Sequence, residues 1–156
     1  MIKLKENKKV HFDELTHSYF CGDAELVGVT TLMKHQGLGA DYSGISEHVL
    51  AHAAARGTAV HQTLEDYDNG ADILQPRIVD DNEGGKLTID TSKELAAYRD
   101  LGLNVLASEY LVSDNKVVAS SIDKVLATDE EDTVDLGDIK TTSTLHIDAL
   151  EWQLSI

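Results

Sequence analysis

Apolar residues recur at steps of three or four over Ile45–Tyr67, and this spacing predicts an amphipathic helix. Ser46 stands where an N-cap is expected, and Asn69-Gly70 supplies residues that commonly end a helix. A second helix is predicted over Ser92–Leu101, with Gly102 as its stop signal. Two further helical segments are predicted: a short one capped by Thr30 or Thr31 and ending at His35, and one over Leu145–Ile156.

Alternating apolar and polar residues predict two groups of strands. The first group is a small meander over Val10–Phe20 and Ala24–Val29, with a turn at Gly22-Asp23. The second group comprises Asn104–Val112, Lys116–Ala127 and Thr133–Lys140. The polar stretch Asp68–Asp90, which contains the single proline of the chain, predicts a long loop or a small insertion. This order of elements favours an α/β (α+β) fold, with a central mixed β-sheet flanked by helices.

Length and composition indicate one folded domain over residues 1–156, with an N-terminal meander and short helix (1–44) and a core (45–156). The formal net charge is −15, and most of it falls after residue 56. Such acidity excludes proteins that coat nucleic acid or adsorb to anionic membranes without specificity. No apolar run approaches the length of a membrane span. A single cysteine, Cys21, excludes an intrachain disulfide, so we expect a soluble protein of a reducing compartment.

Two aspartates are predicted to face each other in the hairpin formed by Lys116–Ala127 and Thr133–Lys140. If Glu130 and Glu131 form its loop, Asp123 lies opposite Asp138, and Lys140 shares their face. Carboxylates 4–5 Å apart repel each other by roughly 4 kcal/mol at an effective dielectric constant near 20. A divalent cation would offset this repulsion, and Mg²⁺ favours such carboxylate sites. The alternative is a solvated sheet face on which Lys140 bridges the two aspartates.

His61 projects from the predicted Ile45–Tyr67 helix on the same side as Glu65. Gly57, one turn earlier, would allow another segment to approach closely. A neutral imidazole could complete a metal site built mainly of carboxylates. The alternative is an ordinary surface or packing histidine. Three basic residues could add a phosphate-contacting rim, or could simply be solvated charges: Lys34, Arg56 and Lys124.

Five segments, in their order along the chain, resemble the PD-(D/E)XK nuclease superfamily and specifically its RecB-like and phage-exonuclease branch. These segments are RGTAVHQTLE (Arg56–Glu65), SEYLV (Ser108–Val112), VASSIDKV (Val118–Val125), DLGDIKTT (Asp135–Thr142) and WQLSI (Trp152–Ile156). The resemblance implies a restriction-endonuclease-like core with a metal site. The implied metal ligands are His61, Asp123, Asp138 and the backbone carbonyl of Ile139, and the implied metal is Mg²⁺ or Mn²⁺. The implied catalytic residues are Asp123, Asp138, Lys140, Glu109 and Gln153.

The chain departs from the family pattern in two places. Ser120 replaces the usual glycine three residues before the first aspartate, and serine is small enough to be tolerated there. Gln153 would open a Gln-x-x-x-Tyr motif, but the sequence ends at Ile156, before that tyrosine and before the last strand of the family core. We therefore expect a C-terminally incomplete core, with a protein partner or an oligomer completing the sheet.

The resemblance implies a metal-dependent deoxyribonuclease, most commonly an exonuclease, which hydrolyses DNA phosphodiester bonds through metal-activated water. The expected partners are DNA and a divalent metal, without a membrane, in the cytoplasm of a bacterial cell and with a phage or prophage origin. Two alternatives stay open. One is a catalytically idle nuclease fold that acts as a binding module, and the other is an acidic phage protein that mimics DNA.

Overall fold

The computed structural model describes residues 2–13, 15–38, 41–81, 84–142 and 145–155. Within these ranges the chain forms eight strands and four helices. In chain order they are β1 (Val10–Asp13), β2 (Ser18–Cys21), β3 (Ala24–Gly28), α1 (Val29–His35), α2 (Glu47–Asp68), β4 (Arg77–Asp80), β5 (Lys86–Ile89), α3 (Ser92–Leu101), β6 (Val105–Ser113), β7 (Val118–Ala127), β8 (Val134–Gly137) and α4 (Ile147–Ser155). None of these helices combines the length and the apolar character that a membrane crossing requires.

Six of the strands form one mixed sheet flanked by helices, which confirms the coarse architecture predicted from the element order. β1, β2 and β3 are an antiparallel meander, and β3 pairs in parallel with the start of β7. β6 and β8 both pair antiparallel with β7. β7 is therefore the central strand, with β6 on one edge and β3 followed by β8 on the other.

The edge of β7 that β3 and β8 share is interrupted. β3 pairs with Val118 and Ala119, and β8 pairs with residues 124–127. Among the described strands, none pairs with residues 120–123 of β7 on this edge. The gap lies next to Asp123 and opens the sheet where the predicted metal ligands gather.

α2 is the helix around which the core is organised, and its bounds differ from the prediction by no more than two residues. Ser46 occupies the N-cap position without a side-chain capping hydrogen bond. The small side chains of Ala55 and Ala59 pack against the hairpin β4–β5. One turn further, Val60 and Leu64 pack against α3, which ends at Gly102 in the left-handed conformation (φ 58°). α2 thus buries two adjacent faces, and His61 directly follows Val60 of the second face.

Several sequence predictions need correction. Of the two alternatives for Asp68–Asp90, the structure shows a small insertion rather than a long loop: the β4–β5 hairpin, whose strands were not predicted and whose residues Val79 and Ile89 pack on α2. The short helix begins at Val29 with Gly28 at its N-cap position, so neither threonine caps it. The last strand ends at Gly137, and the final helix begins at Ile147; its predicted end, Ile156, lies outside the described residues.

Candidate metal centre

The hairpin β7–β8 has the register predicted from the sequence. Lys124 pairs with Gly137, and the ladder continues to Ala127 and Val134. The loop, residues 128–133, is longer than the two residues assumed, but it is symmetric about the same centre and leaves the register unchanged. The ladder stops before Asp138, so this residue lies just beyond the last pair rather than within the sheet.

The segment that follows β8 is held against β7 by the first predicted aspartate. Asp123 Oδ2 accepts a hydrogen bond of 2.7 Å from the backbone N–H of Ile139. The backbone carbonyl of Ile139 lies 3.1 Å from Nε2 of His61. The N–H and the carbonyl of Ile139 therefore each contact a predicted metal ligand, Asp123 and His61 respectively.

Three ligand-type side chains converge from three elements: His61 of α2, Glu109 of β6 and Asp123 of β7. Their ligand atoms all lie within 4.8 Å of one another. His61 Nδ1 is 3.6 Å from Glu109 Oε1, and His61 Nε2 is 3.8 Å from Asp123 Oδ2. We call these three residues the metal cluster. Glu109, which the resemblance implied only as an accessory acidic residue, is a full member of it.

Proton affinities in the metal cluster reflect this crowding. The contact with Glu109 is the main cause that raises the pKa of His61, and the contact with His61 is the main cause that lowers the pKa of Glu109. Burial raises the pKa of Asp123, and the charges of Asp138 and Glu109 act in the same direction. A cation bound among these groups would stabilise the ionised form of Asp123, which burial and the neighbouring negative charges disfavour.

Asp138, Lys140 and Gln153 form a second group next to the metal cluster. Nζ of Lys140 lies 2.9 Å from each carboxylate oxygen of Asp138, and Gln153 Nε2 donates a 3.2 Å hydrogen bond to Oδ1 of Asp138. The Asp138 and Asp123 side chains are only 12% and 15% exposed. This burial argues against the alternative of a solvated sheet face, although Lys140 does bind one of the aspartates as that alternative supposed.

The donor set fits a divalent cation. Oδ2 of Asp138 is buried and receives no well-aligned hydrogen bond from any described residue, despite its nearness to Lys140. Carboxylate and carbonyl oxygens with one imidazole nitrogen are ligands that suit Mg²⁺ and Mn²⁺. Asp138 is not among the three residues whose ligand atoms lie within 4.8 Å of one another, so it completes the site only as a neighbouring carboxylate.

The backbone of Glu109 is unusual for a strand. Its φ is 47°, in the left-handed region that residues with a side chain rarely occupy. The pairs on either side, Ser108 with Lys124 and Tyr110 with Ile122, place Glu109 opposite Asp123. Strained backbone of this kind is concentrated at functional sites. Here it accompanies a carboxylate that reaches towards a histidine on another element.

Two further residues support the site, and the sequence reasoning did not identify them. Ser121 Oγ donates a 2.7 Å hydrogen bond to Oε2 of Glu109, and its backbone N–H donates to the hydroxyl of Tyr19 at 3.2 Å. Strand alternation could have found Ser121, since it lies two residues before Asp123. No sequence signal marks Tyr19, which comes from β2 and satisfies the backbone in the gap of the β7 edge. Burial is the main cause that raises the pKa of Tyr19.

A groove of about 560 Å³ runs past the gap and reaches Asp123 and Asp138. Its size is within the range of small-molecule sites in proteins. Gln153 and Leu154 of α4 form part of its opposite wall. A ligand in this groove would meet both aspartates directly.

Two of the three basic residues considered as a phosphate rim are engaged elsewhere. Lys124 is buried, and its Nζ binds Asp68 Oδ2 at 2.5 Å and Ser108 Oγ at 2.8 Å. Arg56 forms an ion pair with Glu94. Of the three, only Lys34 remains exposed without an ion pair to another described residue.

Comparisons of the chain with protein-family models, with curated proteins and with solved structures gave no match. The site itself combines carboxylate and carbonyl oxygens with one imidazole nitrogen, a lysine bonded to Asp138 and a groove that reaches both aspartates.

Proposed function

We propose that this protein is a metal-dependent deoxyribonuclease, and an exonuclease in particular, which hydrolyses DNA phosphodiester bonds with Mg²⁺ or Mn²⁺. The observation that carries the proposal is the convergence of His61, Glu109 and Asp123 within 4.8 Å, beside the buried carboxylate of Asp138. The resemblance of the sequence to PD-(D/E)XK nucleases adds the expectation that the substrate is DNA.

The side chains of the metal cluster would have different roles. Asp123, His61 and the Ile139 carbonyl would hold the cation, and Asp138 would contribute from the neighbouring position. A bound divalent cation would supply Lewis acidity to a phosphate oxygen and would lower the pKa of a bound water. Glu109 would fix the ring of His61 through Nδ1, as carboxylates commonly do for ligating histidines.

Lys140 would act on the charge of the phosphate group. Its side chain is 35% exposed, and its ammonium is oriented by Asp138 and Gln153, two residues that line the groove. A preorganised cation next to a phosphodiester stabilises the extra negative charge of the transition state. Because Asp138 and Gln153 hold it already, little reorganisation is needed when the substrate binds.

The acidity of the chain limits how DNA would bind. A net charge of −15 repels a polyanion, so affinity would depend on divalent metal and on a small local set of cations. Weak binding without metal and strong dependence on salt concentration are therefore part of the proposal.

The test is release of nucleotides from DNA in Mn²⁺ by the wild-type protein and by two lysine variants. Lys140→Ala should lower the rate by about 10²–10³-fold, as removal of a transition-state donor does in other enzymes. Lys86→Ala, which removes an exposed lysine of the β4–β5 hairpin, should leave the rate unchanged. Equal rates in all three proteins, or no release by the wild type, would refute the proposal.

Metal binding is measured separately by titration calorimetry with Mn²⁺. Asp123→Asn should weaken the binding strongly, while Asp135→Asn, on the exposed part of β8, should not. A protein that binds Mn²⁺ through Asp123 but releases no nucleotides would instead be a catalytically idle binding module.

A further inference from the structure

A second cavity, of about 180 Å³, lies between α1, α4 and the segment that follows β8. The buried side chain of Met33 and the half-buried side chain of Leu150 are among its apolar lining residues. Tyr42, whose side chain is half exposed, lines it together with Lys34 and Lys140. We call this space the α1–α4 cavity.

The charge of the α1–α4 cavity is opposite to that of the whole protein. Two lysines and His146 line it, and none of its described lining residues is acidic. The acidic residues of α4, Asp148 and Glu151, line a different cavity, which shares His146 and Ala149 with this one. In a chain of net charge −15, this concavity is therefore a place where an anion would meet two lysines; Lys34 has no ion pair to a described residue, and Lys140 is also bonded to Asp138, which is not a lining residue.

The cavity adjoins the candidate metal centre, because Lys140 and Gln153 line it and both bind Asp138. If a phosphate group of a DNA strand were bound at the metal centre, the next nucleotide of that strand would lie at the mouth of the cavity.

The composition of the lining matches one nucleotide. Apolar side chains with a half-exposed tyrosine suit the face of a base, because bases stack on aromatic side chains in single-strand binding sites. The volume is below the 300–1,000 Å³ typical of drug-sized ligands, so it suits one base and excludes a duplex. Lys34 is placed at the last turn of α1 to contact the attached phosphate.

We propose that the α1–α4 cavity binds one nucleotide of a single DNA strand, with its base against Tyr42 and its phosphate between Lys34 and Lys140. The inference rests on the proposed function and deepens it, because it assigns where the strand lies next to the cleaved bond. It also identifies the bound form of the DNA as an unpaired strand or a frayed end, since a paired base is not free to enter.

The test is binding of fluorescent oligothymidylate in Ca²⁺, measured by anisotropy. Tyr42→Ala should weaken binding by roughly 5- to 150-fold, the range that loss of one stacked base produces, whereas Tyr42→Phe should bind as the wild type does. Lys34→Ala should weaken binding and reduce the salt dependence by roughly one single-strand phosphate contact, a slope change of about 0.7. Lys86→Ala is the charge-matched control and should have no effect.

An abasic strand of the same length separates the base from the phosphate. The abasic strand should bind to the wild type more weakly than oligothymidylate does, and Tyr42→Ala should not change its affinity. The proposal of a nucleotide subsite would be refuted if Tyr42→Ala left the affinity for oligothymidylate unchanged. It would also be refuted if the wild type bound no oligothymidylate. Binding that follows Tyr42 and Lys34 in a protein that cleaves nothing would retain the subsite and reject the nuclease, so the two proposals fail separately.

Discussion

The ion pair between Asp68 and Lys124 joins the end of α2 to the central strand β7, and its loss should be costly. The two side chains are 8% and 4% exposed, and Nζ lies 2.5 Å from Oδ2. Ser108 Oγ and the hydroxyl of Tyr98 also donate to Asp68, at 2.9 Å and 3.0 Å. Every charged atom of the pair is therefore satisfied inside the protein, away from water.

Asp68→Asn would leave the ammonium of Lys124 buried without its counter-ion. Breaking a buried pair in this way typically costs about 3–5 kcal/mol. For a domain of this size, that loss corresponds to a fall in Tm of roughly 6–20 °C. Adding Lys124→Met to Asp68→Asn should restore most of the stability, because the buried charge is then removed altogether.

The matched control is Asp66→Asn, two residues earlier on the same helix. Asp66 also forms an ion pair, with Arg77, but its side chain is 37% exposed. Partly exposed pairs of this kind contribute about 0–1 kcal/mol. Urea unfolding followed by circular dichroism gives the free energy of unfolding of all four proteins. If Asp68→Asn cost no more than Asp66→Asn, the buried pair would not be an important source of stability.

Two further predictions concern the backbone. The pKa of Asp114 is lowered to about 2, mainly because its carboxylate accepts hydrogen bonds from the backbone N–H groups of the turn before β7. Asp114→Ala should therefore destabilise the protein above pH 4, and progressively less as the pH falls towards 2. A loss of stability that is independent of pH would contradict this. Gly57→Ala should stabilise α2 by roughly 0.5–1 kcal/mol, because among the described residues the new Cβ meets only Thr141 Oγ1, at 3.5 Å. Gly102→Ala should instead destabilise the protein by roughly 1–2 kcal/mol, because the φ of 58° strains a residue with a side chain. Thermal unfolding of both glycine variants checks the contrast, and a shift of Tm in the same direction for both would contradict it.

Local patterns along the chain were sufficient for much of the fold. The bounds of α3 and the register of β7 with β8 follow from residues that are neighbours in sequence, because helix periodicity, a glycine stop and strand alternation act over a few residues. The hairpin β4–β5 was missed because its strands are four residues long and lie in an acidic stretch. Its buried residues Val79 and Ile89 share a core cluster with Ala55 and Ala59 of α2, and this contact is not visible in the local sequence pattern.

The candidate site likewise depends partly on local sequence patterns and partly on contacts between distant segments. The sequence by itself determined the register of the hairpin that carries Asp123, with Asp138 just beyond its last pair, and the position of His61 on a helix. Only the tertiary structure decided that Glu109 joins the metal cluster and that Lys124 is buried against Asp68, which is 56 residues away. The reason is physical: a strand pattern assigns a side chain to one face of the sheet, but which element covers that face depends on packing between distant segments.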